Sequence, residues 1–127
     1  MKKSLLILIT FLTLFSPVQA ETVTENDVQL RDNVIHILLY PLIAKELEKQ
    51  YGKPQQFMCH KIIRIEKLPT GTYIFNVTVQ LITFEGAHSP PNDLVTITLS
   101  NEKTLEWNTI DFKRKRLKPN EIPPKCD

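Results

Sequence analysis

The chain has 127 residues, with 16 lysines and arginines against 14 aspartates and glutamates, two cysteines and nine prolines. That length supports one hydrophobic core and excludes two independent domains. A formal net charge of +2 is too small to draw the whole molecule to polyanions, and no stretch carries a catalytic, nucleotide-binding or cofactor signature.

A basic start (Lys2, Lys3), an apolar run from Leu5 to Phe15, a breaker at Pro17 and the small-residue ending Val18-Gln19-Ala20 predict a secretory signal over 1–20, cleaved after Ala20. The apolar run falls well short of the ~20 residues that cross a bilayer core, so no permanent membrane span is expected. No cysteine follows the cleavage point to carry a lipid anchor. Cleavage removes two lysines and no acid, which leaves the mature chain neutral. Its expected location is extracytoplasmic, secreted or associated with the cell wall. There a disulfide persists, and Cys59 and Cys126 are the natural pair, the alternative being a buried thiol at Cys59 and a free one on the tail.

Residues 21–27 are polar and read as a linker, ending in Asn26-Asp27, either of which caps a helix. From there apolar residues recur at Leu30, Val34, Ile37, Leu38, Leu42, Ile43, Leu47 and Tyr51, the spacing of one helical face. Pro41 lies inside this pattern, has no N–H to donate and predicts a kink or a restart. Gly52 and Pro54 supply the stop.

The chain beyond Pro54 reads as strands. Segment 57–67 is rich in isoleucine, and Pro69-Thr70-Gly71 marks a turn. Segment 72–84 alternates, with Tyr73, Phe75, Val77, Val79 and Leu81 on one face and Asn76, Thr78 and Gln80 on the other. Segment 94–99 alternates likewise. A polar turn over 100–104 precedes a last strand over 105–112 that carries Trp107 and Phe112, core or sheet-surface residues rather than a sugar platform. One helix and four strands with short connections predict an α+β domain over 28–116, a helix packed on a four-stranded antiparallel meander, with an extended tail at 117–127. A cystatin-like or similar roll fits that order.

The loop between the second and third strands holds the first candidate ligand-binding residues: Glu85, His88, Asn92 and Asp93. Gly86 permits unusual backbone angles, and Pro90-Pro91 is expected to stiffen the loop in an extended shape, presenting His88 between two carboxylates. An imidazole so flanked binds a metal or moves protons near neutral pH, yet the spacing matches no metal or catalytic signature, and a structural histidine satisfied by backbone is the simpler expectation. No catalytic residue, metal ligand or cofactor is assigned. His36 and His60 read as structural or surface residues.

The run Phe84-Glu85-Gly86-Ala87-His88-Ser89-Pro90-Pro91, followed by Thr96-Ile97-Thr98, with Leu39-Tyr40-Pro41 and Tyr51-Gly52 upstream, resembles small exported proteins of spore-forming Gram-positive bacteria grouped as domain-of-unknown-function family 3888. The resemblance spans about residues 28–112 and implies an exported bacterial protein with no assigned activity and no functional residues to carry over. A second candidate lies outside it: Lys113, Arg114, Lys115, Arg116 and Lys118, a basic patch on a neutral domain. Outside such a cell the polyanions to hand are wall teichoic acids and anionic lipid headgroups rather than nucleic acid. A charged strand edge that resists pairing is the plain alternative.

These readings favour an exported, non-catalytic binding or interaction module at the cell surface, with a protein or a wall polymer as partner. The competing expectations are a small enzyme or metal-dependent factor using the His88 loop, or a secreted inhibitor. An enzyme needs its polar groups to converge in a pocket, whereas a binding module can leave them on an open loop.

Overall fold

A computed structural model describes residues 26–123, 125 and 126. The expected signal over 1–20, its cleavage point and most of the linker lie outside the described residues. Helix α1 spans Asp27–Tyr51, and strands β1 Gln56–Lys67, β2 Phe75–Phe84, β3 Asp93–Ser100 and β4 Asn108–Arg116 follow, with a 3₁₀ turn at Pro119–Glu121. The strands form one antiparallel sheet in the order β1-β2-β3-β4, the α+β meander that the alternating segments predict. No helix among the described residues is long and apolar enough to cross a membrane.

Asn26 accepts the Val28 N–H at 3.0 Å and so satisfies one of the free donors of the first turn. At the other end Gly52 takes a left-handed conformation, φ 72°, and its N–H reaches the Glu48 carbonyl at 2.8 Å. The helix neither stops nor restarts at Pro41. Pro41 and Ile37, whose carbonyl loses its hydrogen bond there, both face solvent, so water satisfies what the proline leaves unpaired.

The core is built from three elements, α1, β2 and β3. Leu39, Ile43 and Leu47, four residues apart on α1, press onto Val77, Val79 and Leu81 of β2 and Val95, Ile97 and Leu99 of β3. The strand residues pair directly, Val77 with Leu99, Val79 with Ile97 and Leu81 with Val95. Phe57 and Ile62 of β1, with Trp107 and Phe112 at the β4 side, flank this core half-buried. The buried face of the helix departs from the apolar stripe expected from sequence: Val34, Ile37 and Leu38 are exposed, and His36 is buried instead. The cause is which side of the helix meets the sheet: His36, Leu39, Ile43 and Leu47 fall on one line along α1, and at about 3.6 residues per turn Val34, Ile37 and Leu38 point away from it.

The last strand also differs from its expected place. It begins at Asn108 and runs through the basic residues to Arg116, three residues later and four residues further than the expected 105–112, so 113–116 is part of the sheet. At the near end β2 begins at Phe75, leaving Tyr73 outside the strand and exposed. Cys59, at a break in the β1 register, is bridged to Cys126. That bridge draws the tail across the sheet face opposite α1, where Leu117, Pro123 and Cys126 line a pocket with Ile82 and Leu94.

Candidate functional site

The end of α1, the β2–β3 turn and the end of β4 meet around Asp93. Strand alternation explains who is present. Asp93, Val95 and Ile97 share the helix-facing side of β3, and their direct partners on β4 are Arg116, Arg114 and Phe112. The basic run is therefore divided by the pleat. Arg114 and Arg116 face the helix end, whereas Lys113 pairs with Asp111 at 3.7 Å and Lys115 with Glu121 at 3.3 Å on the other side. Lys118 sits on the tail, its N–H bonded to the Glu121 carboxylate.

Asp93 is only 4% exposed, and both its oxygens are occupied. Tyr51, the last residue of α1, donates its hydroxyl to Oδ2 at 2.6 Å, and Arg116 Nε donates to Oδ1 at 2.5 Å. Its backbone N–H donates to Thr83 Oγ1 at 3.0 Å. Burial alone would raise the Asp93 carboxyl, but the Tyr51 and Arg116 hydrogen bonds and the nearby Arg116 and Arg114 charges outweigh it and hold the group below its ordinary value. Burial and the carboxylate push the Tyr51 phenol the other way, above its ordinary value. A carboxylate so saturated is a clamp and not a proton acceptor: it ties helix end, β3 and β4 together through charge-assisted bonds.

Around this clamp opens a cleft of about 360 Å³, walled by Tyr51, Lys53, Gln55, Glu85, Arg114 and Arg116. Lys53 and Glu85 pair across its mouth at 2.9 Å. The Arg114 guanidinium lies 4.8 Å from the Tyr51 ring centroid, a cation–π arrangement, and forms no ion pair among the described residues. Three cations thus surround two carboxylates that are already engaged.

Of the four loop residues expected to bind ligand, the structure brings two into the cleft, Glu85 and Asp93. Asn92 is buried and does not line it: its side-chain amide donates to the Thr83 carbonyl at 2.9 Å and its backbone carbonyl accepts the Leu117 N–H at 2.8 Å. His88 is exposed and does not line the cleft. Its backbone has φ 61°, its ring meets Phe84 edge-on with centroids 4.3 Å apart, and it forms no side-chain hydrogen bond among the described residues. The loop is not the extended ledge the two prolines suggest. Glu85 and Ser89 exchange backbone hydrogen bonds at 2.8 Å in a tight turn, and the Pro90–Pro91 peptide is cis. Among the described residues no three His, Cys, Asp or Glu side chains converge to hold a metal.

Tyr51 and Lys53 are the participants that sequence reasoning passes over. Tyr51 fits the apolar stripe of the helix, and only its position at the last turn, just before Gly52, signals that its hydroxyl reaches past the core. No curated protein and no solved structure matches the chain. The model of a family described as a protein of unknown function (DUF3888) matches residues 31–115, which include the whole cleft except Arg116, and the chain belongs to that family.

Proposed function

We propose that the protein is an exported, non-catalytic binding module of the bacterial cell surface, and that the cleft beside Tyr51 holds an anionic group of a wall polymer or partner protein. The observation that carries this reading is Arg114: a guanidinium stacked on an aromatic ring, free of any carboxylate partner among the described residues, at the open side of a cleft whose buried acid is already neutralised. Arginine in that posture offers a planar fork to phosphate or carboxylate. The engaged state of Asp93 argues for recognition over proton-transfer chemistry. The competing enzyme reading relies on His88, which stands away from the cleft lining.

Purified wall teichoic acid, immobilised at low salt, tests the reading. The expected result is retention of the wild type, with release as salt rises through the physiological range. Arg114→Ser should pass through the column, while Lys113→Ser with Lys115→Ser, on the opposite sheet face, should be retained. Equal retention of the Arg114→Ser variant would remove the cleft from consideration. Export is tested separately, by sequencing the N-terminus of the extracellular protein, which should begin at Glu21.

A further inference from the structure

The N-terminal half of α1 leaves a second cavity, at the far end of the core from the Arg114 cleft. Its roof is Ile35, Leu38 and Leu39, its floor Ile65, Phe75 and Val77 of β1 and β2, and its side wall Trp107, enclosing about 280 Å³ between almost wholly apolar surfaces. This is surface that the fold does not consume: Leu38 is 72% exposed and Tyr73, just outside β2, is 82% exposed. Contiguous apolar area kept in water marks a place where something binds. The floor is held in shape without an occupant, because Asn101 accepts the Phe75 N–H at 2.7 Å and donates to the Tyr73 carbonyl at 2.9 Å.

A cation stands beside the Phe75 end of the floor. Lys67 is the direct cross-strand partner of Phe75, so it projects on the same side of the sheet. Its ammonium lies 5.9 Å from the Phe75 ring centroid and 5.6 Å from that of Tyr73. Among the described residues it forms no ion pair. A cation held at the lip of a hole with no polar lining is complementary to a molecule with a negative head and a straight apolar tail. A neutral apolar solute would leave the cation unused, and an extended peptide would find no polar groups in the cavity for its backbone.

We propose that this cavity binds a single-chain anionic amphiphile, the tail lying between α1 and the β1–β2 floor against Trp107 and the head on Lys67. The volume lies at the lower end of small-molecule pockets, which favours a short chain.

Trp107 is the chain's one tryptophan, so its fluorescence reports on the cavity wall directly. The protein from Glu21 onward is titrated with linear alkyl carboxylates of about six to about twelve carbons, each below its own aggregation threshold. The expected result is a saturable change in Trp107 emission whose affinity grows about fourfold with each added methylene until the cavity is full and then levels off. An alkyl trimethylammonium of equal tail length should bind at least about tenfold more weakly, and Lys67→Gln, at an exposed position, should erase that difference. Leu38→Gln, also exposed, should weaken every chain length. Absence of a saturable response, or affinity indifferent to chain length, overturns the proposal. So does a response confined to vesicles of anionic phospholipid, which would make the face a membrane contact, or a response that tracks protein concentration with a doubling of mass, which would make it an interface between copies of this chain.

Discussion

His36 occupies the helix face that meets β1, with its ring stacked at 3.5 Å on that of His60 and edge-on to Tyr40 and Phe57. It is 2% exposed, and its Nδ1 has no partner among the described residues. Burial, aided by the His60 charge, lowers its pKa from 6.5 to about 4, and burial lowers His60 as well. The folded state therefore takes up the His36 proton later than the unfolded chain does. Between pH 6.5 and 4 the unfolded state holds more protons, so stability is full above 6.5 and is lost as pH falls through that window, by at most on the order of 3 kcal/mol. Asp93, with its pKa below the ordinary carboxylate value, adds a further loss only at lower pH. Urea unfolding of the wild type at about pH 7.5 and about pH 5 should show a drop of roughly 1–2 kcal/mol, and His36→Leu should flatten it. Parallel profiles for the two proteins would assign the acid sensitivity elsewhere. None of this is visible in the sequence, where His36 is a polar residue inside the apolar run 34–44 of the helix. Burial of that position depends on which side of the stripe meets the sheet.

At the scale of elements, the alternation of 72–84 and 94–99 identifies the core nearly residue by residue, because both faces of a strand are fixed once one residue is placed. The helix was less legible, since its apolar face is wider than the sheet can cover: Leu39, Ile43 and Leu47 are buried while Val34, Ile37 and Leu38 are left out. The basic run was legible as a run but not as two half-sites. Its division into Arg114 and Arg116 on one side, Lys113 and Lys115 on the other, requires knowing that it is strand and in which register. Pro41 offers a sharp test of the element itself. It sits on the solvent side of an unbroken helix, so Pro41→Ala restores a donor to Ile37 and relieves a steric penalty without disturbing packed neighbours. The substitution should raise stability by roughly 1–3 kcal/mol, read as a higher denaturation midpoint with an unchanged slope. A lower midpoint would mean that the proline sets a helix direction on which the core depends.

In the whole molecule, one crosslink joins layers that otherwise share few contacts. The helix covers one face of the sheet. Among the described residues the opposite face is covered at one end, by a tail that leaves β4 at Arg116, bonds to Asn92 through Leu117 and is held at Glu121 by Lys115. The Lys115–Glu121 pair is a surface interaction of little weight. The Cys59–Cys126 bridge, spanning 67 residues, turns the tail into a second, thin layer over Ile82, which is 5% exposed on that face. Closing so long a loop restricts the unfolded chain by roughly 4 kcal/mol in the chain-entropy model. Purified native protein, denatured and alkylated without reductant, should therefore gain no alkyl groups by intact mass. After reduction the domain should lose a large part of that stabilisation, and hydrogen exchange should quicken at Ile82 and Leu94 while Val79 and Ile97, under the helix, stay protected relative to them. The double variant Cys59→Ser with Cys126→Ser should behave as the reduced protein does. Two alkyl groups gained before reduction would show that the bridge is absent in the native protein, and uniform loss of protection across the sheet would show that the tail is integral to the core and not a layer tied onto it.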